Sequence, residues 1–207
     1  MTYQHNQPGG DMRADNPAGL SELLAHARVG IAGCGGIGSN VAVALARAGV
    51  GSLTLADRDF VELRNLNRQH YFVSDVGSLK VRALAGILGR IDPSVRVWPV
   101  AEEIDEESAV RLFAHCDLLV EALDEAAAKQ MLLESWAEGL PLTPIVACSG
   151  IAGYGASDSL GVRRLAGLTV VGDGATSLSL GTTAPRVGAV AMLMANEAVE
   201  TLARRLG

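Results

Sequence analysis

The chain has 207 residues, a length that suits one α/β domain with a sizeable buried core. Its formal net charge of −6 argues against a general nucleic-acid or membrane-surface binder. No apolar run reaches the roughly 20 residues that span a bilayer, and no signal-peptide pattern is present. We therefore expect a cytoplasmic protein that makes no membrane contact.

Residues 1–18 are polar, rich in Gly, Pro and Asn, and lack periodicity, so they predict a flexible arm ahead of a domain over 19–207. A short helix is predicted over 20–27, with Ser21 as a candidate N-cap. Strands are predicted over 29–32, 53–56, 95–100, 118–120 and 142–147, and an extended hairpin arm over 160–171. Helices are predicted over 39–48, 76–91, 105–114, 125–138 and 185–206. This alternation predicts an α/β fold, a single Rossmann-like domain with a doubly wound, mostly parallel sheet.

The first strand leads into a glycine-rich turn. Gly33, Gly35 and Gly38 fit the pattern G-x-G-x-x-G with a strand before it and a helix after it. Such a turn brings the backbone close to a phosphate at the positive end of the helix. Asp57 ends the next strand, where a carboxylate can accept the hydroxyls of a ribose. The glycine pattern alone does not distinguish ATP from NAD.

Asp124 follows the fourth predicted strand. In the usual strand order 3-2-1-4-5, strands 1 and 4 are neighbours, and ligands bind outside the carboxyl ends of the strands at that point. Asp124 is therefore expected opposite the glycine loop and beside Asp57. Asp also suits the first position of a helix, so a capping role for Asp124 stays open.

Cysteine and histidine form no metal-binding pattern in the sequence. Cys34, Cys116 and Cys148 are isolated, so there is no C-x-x-C pair, and the four histidines form no local ligand set. Buried cysteines usually pack as small apolar residues. Any metal is thus expected to arrive with a nucleotide.

A dense polar run follows the second strand. It contains D-x-D at 57–59, N-L-N-R-Q at 65–69 and V-G-x-x-K at 76–80, and it comes after G-x-G-G-x-G-S at 33–39. With these four motifs in this order, the chain resembles the ThiF/MoeB/HesA group of ubiquitin-activating-like adenylyltransferases. The segments 147–155, 172–174 and 184–188 resemble the short, single-domain ThiF type that is linked to thiamine biosynthesis.

The resemblance implies a Mg²⁺-dependent reaction in which ATP adenylylates the C-terminal carboxylate of a ubiquitin-like sulfur carrier protein, ThiS-like. That carboxylate is ionised at neutral pH, so the reaction needs no general base. The resemblance places Gly33, Gly35, Gly36 and Gly38 at the phosphates, Asp57 at the ribose, and Asn67, Arg68 and Gln69 at the phosphates. It places Lys80 beside the transferring group and Asp124 on Mg²⁺, which makes Arg68, Lys80 and Asp124 the candidate catalytic residues. Asp59 is undecided between a nucleotide-binding and a structural role.

The chain also departs from the pattern of many relatives. It has no pair of C-x-x-C motifs, so we expect no zinc. The loop 172–184 has no cysteine, which predicts a protein that stops at the adenylate. Relatives are commonly dimers, and the last helix with the 160–171 hairpin predicts a homodimer. Arg13 is either a residue that reaches the partner's ATP or a free tail residue.

Other functions stay open at this point. A MoaD-like carrier of molybdopterin synthesis, or a carrier of cysteine biosynthesis, would use the same residues. So would a carboxylate on modified tRNA, although the acidic charge balance makes nucleic acid a less favoured partner. An NAD-dependent oxidoreductase would share the glycine loop and Asp57. An inactive binding partner would be expected to lack Arg68, Lys80 or Asp124.

Overall fold

The structure, a computed structural model, describes residues 12–207. Within this range six α-helices alternate with seven strands. The helices are α1 (Leu20–His26), α2 (Gly36–Ala48), α3 (Lys80–Ile91), α4 (Glu106–Phe113), α5 (Ala126–Gly139) and α6 (Ala184–Leu206). The strands are β1 (Arg28–Ala32), β2 (Ser52–Ala56), β3 (Arg96–Val100), β4 (Leu118–Glu121), β5 (Ile145–Cys148), β6 (Gly161–Leu165) and β7 (Leu168–Gly172).

The strands form one sheet in the order β3-β2-β1-β4-β5-β7-β6. All neighbouring pairs are parallel except β6 and β7. The predicted Rossmann-like, doubly wound sheet and its order 3-2-1-4-5 are therefore confirmed. The hairpin predicted over 160–171 is present as the antiparallel pair of β6 and β7. It is not a separate arm, because β7 pairs along its length with β5, from Ile145 opposite Leu168 to Cys148 opposite Val171.

Helices cover both faces of the sheet. One core cluster contains residues of α2, α3 and α6, and the other is built from α4 and α5 with Phe113 and Trp136 at its centre. Val190, Met194 and Leu202 of α6 are fully buried against the first cluster. The apolar face of α6, which we expected to be available for dimerisation, is thus part of the protein's own core.

Two predicted boundaries differ from the structure for identifiable reasons. The predicted helix over 76–91 begins only at Lys80, because the backbone of Gly77 and Ser78 bonds to Val61 instead. The helix after the glycine turn begins at Gly36, inside the motif itself. Ser21 does not cap α1, since Gly19 holds that position without a side-chain cap. The Ser21 hydroxyl instead accepts a hydrogen bond from Asn16.

The start of the described chain packs against the domain. Arg13 forms an ion pair with Asp92 and donates a hydrogen bond to Ser94 Oγ (2.9 Å), and Asn16 Nδ2 donates to the carbonyl of Ala48 (3.1 Å). Arg13 is therefore not a free tail residue, and its contacts lie at the amino ends of β2 and β3. Residues 1–11 lie outside the described part, so a flexible arm there stays a prediction. Within residues 12–207, none of the helices combines the length and apolar character that crossing a membrane requires.

Candidate active site

A cavity of about 800 Å³ opens at the carboxyl ends of the strands, a typical volume for a ligand site. It lies where β1 and β4 are neighbours, as expected for this topology. Ten of the eleven predicted site residues line it: Gly33, Gly35, Gly36, Asp57, Asp59, Asn67, Arg68, Gln69, Lys80 and Asp124. Gly38 is the exception, being buried beneath the turn.

The glycines of the turn serve two different purposes. Gly33 has φ +92°, and a Cβ there would lie 2.6 Å from the carbonyl oxygen of Ala122. A Cβ on Gly38 would lie 1.8 Å from the carbonyl oxygen of Gly33. These two glycines let the turn close on itself and on the segment after β4. At Gly35 a Cβ would meet only Gln69 Nε2, at 3.8 Å, so this position leaves open space in the cavity.

Asp57 holds the walls of the site through both carboxylate oxygens. Oδ2 accepts the backbone N–H of Cys34 (2.7 Å), and Oδ1 accepts that of Asp59 (2.8 Å). A carboxylate has about four lone-pair sites, so Asp57 keeps acceptor capacity for ribose hydroxyls. The same residue thus fixes the glycine turn and presents acceptors to the cavity.

Lys80 is buried, with only 7% of its side chain exposed. Its Nζ lies 2.6 Å from Asp59 Oδ2 and 3.8 Å from Asp57 Oδ2, and its backbone N–H donates to the carbonyl of Asp59 (2.9 Å). Lys80 is therefore not a solvated residue at a helix end. The ammonium group stands at the cavity with its charge matched by two carboxylates.

The segment 67–69 is held against the start of α2 by Asn40. The Asn40 amide donates to the carbonyls of Gly36 (2.6 Å) and Arg68 (3.0 Å). Arg68 lines the cavity, and its Nη1 donates to the side chain of Asn67 (2.9 Å) and to the carbonyl of Arg64 (3.5 Å). Gln69 Oε1 is buried without a hydrogen-bond partner within residues 12–207. A buried acceptor at the cavity wall is an expected feature of a site that receives a polar ligand.

Asp124 lies on the turn between β4 and α5. It does not cap α5, because Glu125 occupies the N-cap position. Its exposed carboxylate borders the cavity on the side of β4, across from the glycine turn. One such carboxylate fits Mg²⁺, which usually binds one or two carboxylates together with phosphate oxygens. Within residues 12–207, no group of three His, Cys, Asp or Glu side chains could hold a metal ion by itself.

Sequence reasoning missed a second charged pair in the cavity wall. Glu121 ends β4 with 1% of its side chain exposed, and both its oxygens lie 2.8 Å from Lys129 Nζ of α5. Burial raises the pKa of Glu121 against the attraction of the ammonium group. Burial also raises the pKa of the neighbouring Cys148 thiol to about 11, which keeps that thiol protonated at neutral pH. The only sequence signal was that Lys129 and Lys80 are the chain's two lysines.

A third pair joins the two loops on the β5 side of the cavity. Asp173 and Arg186 are both buried and form an ion pair, and Arg186 also donates to the carbonyl of Gly155 (2.7 Å). Asp173 accepts the backbone N–H groups of Ala175 (2.7 Å) and Thr176 (2.8 Å). The backbone N–H of Thr176 is the main cause of a lowered pKa at Asp173. The sequence segments 172–174 and 184–188 contained this pair, but nothing in them showed that the two side chains meet.

Comparison with known proteins assigns the chain to a family. The model of the ThiF family matches residues 12–206, nearly the whole chain. The chain belongs to the ThiF family. It is 33% identical over 187 residues to a molybdopterin-synthase adenylyltransferase of Escherichia coli K12, covering 88% of this chain and 75% of that protein. This ThiF-family chain is accordingly an adenylyltransferase, and the oxidoreductase alternative is not supported.

Two further relatives extend the comparison. The chain is 36% identical over 115 residues to a tRNA threonylcarbamoyladenosine dehydratase of Bacillus subtilis 168, which covers 55% of this chain and 45% of that protein. The structure of the Escherichia coli dehydratase TcdA in complex with ATP superposes with a TM-score of 0.83 at 22% identity, over 91% of each chain. At that identity the superposition shows a shared fold.

Proposed function

We propose that this ThiF-family protein uses ATP and Mg²⁺ to adenylylate the C-terminal carboxylate of a ubiquitin-like sulfur carrier protein. One observation carries the proposal. A single cavity is lined by the glycine turn, Arg68, Lys80 and Asp124. These are the groups that a reaction between two anions requires, because its barrier arises mainly from bringing negative charges together.

In the proposed reaction a carboxylate oxygen of the carrier attacks the α-phosphorus of ATP. The bond from that phosphorus to the bridging oxygen breaks, and pyrophosphate leaves with the electron pair. Arg68 and Lys80 stabilise the charge on the phosphates, while Gly35 and Gly36 allow the backbone to approach them. Asp124 holds Mg²⁺, which neutralises phosphate charge when bound. Asp57 and Gln69 bind the ribose and phosphate region, and Asn67 orients Arg68.

Asp59 has a structural part in this proposal. Its carboxylate pairs with Lys80 and its backbone carbonyl accepts the first N–H of α3. Asp59 therefore fixes the ammonium group that faces the phosphates, in addition to bordering the cavity itself. A nucleotide phosphate can attract the ammonium group only if it competes with Asp59 for it.

The identity of the carrier is a finer question. The ThiF-type segments favour a ThiS-like carrier and a role in thiamine thiazole synthesis, whereas the Escherichia coli relative named above favours a MoaD-like carrier. A modified-tRNA carboxylate is the second candidate because of the dehydratase relatives. The rim of the cavity favours a carrier protein over tRNA as the substrate. Loops 149–160 and 174–184 carry a single charged residue, Asp158, and they expose the side chains of Tyr154 and Leu180. Nucleic-acid sites are normally strongly basic.

Pyrophosphate exchange tests the proposal. Labelled pyrophosphate is expected to enter ATP only when Mg²⁺ and a carrier ending in Gly-Gly are both present. ThiS-like and MoaD-like carriers are compared with each other and with the same carriers lacking the last glycine. A tRNA bearing a threonylcarbamoyl group forms the competing arm. Exchange with no carrier, or stabilisation of the protein by NAD as large as by ATP with Mg²⁺, would contradict the adenylation of a carrier.

We also propose a homodimer, on a surface different from the one that the sequence indicated. Five apolar side chains of the segment 60–76 are more than 40% exposed: Phe60, Leu63, Phe72, Val73 and Val76. This segment includes the phosphate-side residues 67–69, so a second copy bound there would border the cavity. Exposed apolar groups of this number favour burial in an interface. Sedimentation of wild-type protein is expected to show a dimer, and the double variant Leu63→Asp with Val73→Asp is expected to be monomeric. If wild-type protein shows only a 21.5 kDa species at micromolar concentration, the homodimer is excluded.

A location in the cytoplasm stays a prediction, as does the absence of zinc. Arg13 would have to leave Asp92 before it could reach a partner's cavity, because its present contacts lie at the amino ends of the strands. The structure therefore gives no support to Arg13 as a catalytic residue.

A further inference from the structure

The buried pair of Glu121 and Lys129 has no part in the reaction proposed above. Glu121 is 1% exposed and lies at the last position of β4, between Ala32 of β1 and Ala147 of β5. A carboxylate in that position loses nearly all its water, so it depends on its partners for compensation. Lys129 supplies it, with Nζ 2.8 Å from each oxygen.

The same carboxylate also holds the turn that presents Asp124. Glu121 Oε1 accepts the backbone N–H of Leu123 (2.7 Å), the residue immediately before Asp124. One residue earlier, the N–H of Ala122 donates to the carbonyl of Ala32 (2.8 Å). The backbone leading to Asp124 is thus fixed on one side by β1 and on the other by the buried carboxylate.

Lys129 extends this connection to the next strand. Besides Glu121, its Nζ lies 3.4 Å from the carbonyl oxygen of Cys148, the last residue of β5. Its side chain is 24% exposed and borders the cavity. Lys129 therefore connects α5 to the ends of β4 and β5. It lines the same cavity as Asp124.

We infer that Glu121 and Lys129 are positioning residues for Asp124: their ion pair fixes the turn 122–124 and thereby the carboxylate proposed to bind Mg²⁺. The inference rests on the proposed function for its link to Mg²⁺, but the tie between the pair and the turn is a property of the protein without ligand. Removing the ammonium leaves Glu121 buried and without its charged partner. The carboxylate then gains by moving toward water, which releases the N–H of Leu123.

Hydrogen exchange in the full chain without ligand tests the tie directly. Lys129→Met is expected to raise the exchange rate of the Leu123 amide at least 10-fold. Lys129→Arg keeps the charge and is expected to stay within 3-fold of wild type. Gln130→Met, at the adjacent exposed position of α5, is the matched control and is expected to leave this amide unchanged. Leu123 exchange within 3-fold of wild type in Lys129→Met would overturn the inference.

Magnesium titration tests the consequence for Asp124. In Lys129→Met the Mg²⁺ concentration that gives half of the ATP-dependent rise in melting temperature is expected to increase at least 10-fold. ATP binding in the presence of EDTA is expected to change less than 3-fold, because the glycine turn and Arg68 are untouched. Lys129→Arg is expected to need the same Mg²⁺ concentration as wild type. A wild-type Mg²⁺ requirement in Lys129→Met would overturn the positioning role.

A second variant covers failure of Lys129→Met to fold. Glu121→Leu combined with Lys129→Met replaces the ion pair by apolar groups of similar size, which is often tolerated. It leaves no acceptor for the Leu123 N–H, so the same two increases are expected. If wild-type protein is not stabilised by ATP with Mg²⁺, the proposed function fails, while the exchange rate of Leu123 still decides whether the pair holds the turn.

Discussion

Lys80 Nζ lies 2.6 Å from Asp59 Oδ2, and this pair couples the start of α3 to the polar segment after β2. The lysine is 7% exposed, whereas 58% of the Asp59 side chain is exposed. Asp59 therefore holds the Lys80 ammonium group from the solvent side, and Lys80 lines the cavity. A flexible lysine would lose more entropy on binding phosphate than one held in this way.

Replacing Lys80 by Met is expected to reduce pyrophosphate exchange by on the order of 10²-fold or more, because a charge at the transferring phosphate is lost. The melting temperature is expected to fall by about 2–4 °C, since the partner carboxylate is largely solvated and the pair contributes only about 1 kcal/mol. Calorimetry and exchange assays measure the two effects. Arg204→Ala removes an exposed ion pair with Glu200 that does not line the cavity, and it serves as the control. A rate of pyrophosphate exchange within a few-fold of wild type would mean that Lys80 has no role at the phosphates.

Asp124→Asn is expected to abolish Mg²⁺-dependent stabilisation by ATP and to reduce exchange by on the order of 10²-fold. The fold should be unaffected, because the side chain is exposed and does not cap α5. Titration of ATP against Mg²⁺ by thermal unfolding measures the effect. Glu138→Gln, which changes an exposed carboxylate on α5, is the matched control. Wild-type Mg²⁺ dependence in Asp124→Asn would exclude Asp124 as the ligand.

The strand order and the placement of most site residues could be predicted because they follow from local patterns. Gly33, Asp57 and Asp124 each lie at the carboxyl end of a strand, and the parallel sheet brings those ends together. The ion pairs could not be predicted in the same way. Glu121 and Lys129 face each other across a strand end and a helix, and Arg13 meets Asp92 from 79 positions away. Which side chains are buried together depends on how the elements pack. No periodic pattern within a single sequence shows which distant side chains will meet.

The proposed dimerisation surface illustrates the same limit. The apolar stripe of α6 was correctly identified in the sequence, but its partner is α2 of the same chain. Conversely, Phe60 and Val73 lie in an irregular polar segment whose exposure no periodicity indicates. An amphipathic pattern shows that a face is buried, and only the fold shows by what.

The three cysteines are expected to be dispensable for adenylation. Cys34 is completely buried, burial raises the pKa of its thiol well above the ordinary value, and that of Cys148 is raised to about 11. A triple variant with Ala at these positions and at Cys116 should keep its rate of pyrophosphate exchange within a few-fold of wild type. It should be somewhat less stable, because all three cysteines are buried. Native protein should resist alkylation at neutral pH and react fully once unfolded. Loss of exchange in a folded Cys148→Ser variant would reveal a thiol role.

The ion pair of Asp173 and Arg186 predicts how stability depends on pH. Backbone N–H groups of Thr176 and Ala175, followed by the Thr176 hydroxyl and then Arg186, hold the pKa of Asp173 below its ordinary value in the folded protein. A carboxylate with a lowered folded pKa stabilises the fold above its unfolded pKa of about 3.9, and this contribution is lost as the pH falls toward the folded value. Asp173→Asn keeps an acceptor for the loop but removes the charge beside Arg186.

Asp173→Asn is therefore expected to be less stable than wild type at pH 7 and at pH 5. The difference should narrow below about pH 4, where the Asp173 carboxylate begins to protonate in the unfolded chain while it stays ionised in the folded protein. Urea unfolding at pH 7, 5 and 3 measures it, with Asp158→Asn, an exposed acid on the neighbouring loop, as the control. Because Arg186 also holds the carbonyl of Gly155, losing its partner should loosen both loops beside the cavity. A difference between Asp173→Asn and wild type that stays constant from pH 7 to pH 3 would show that the charge of Asp173 contributes nothing to the fold.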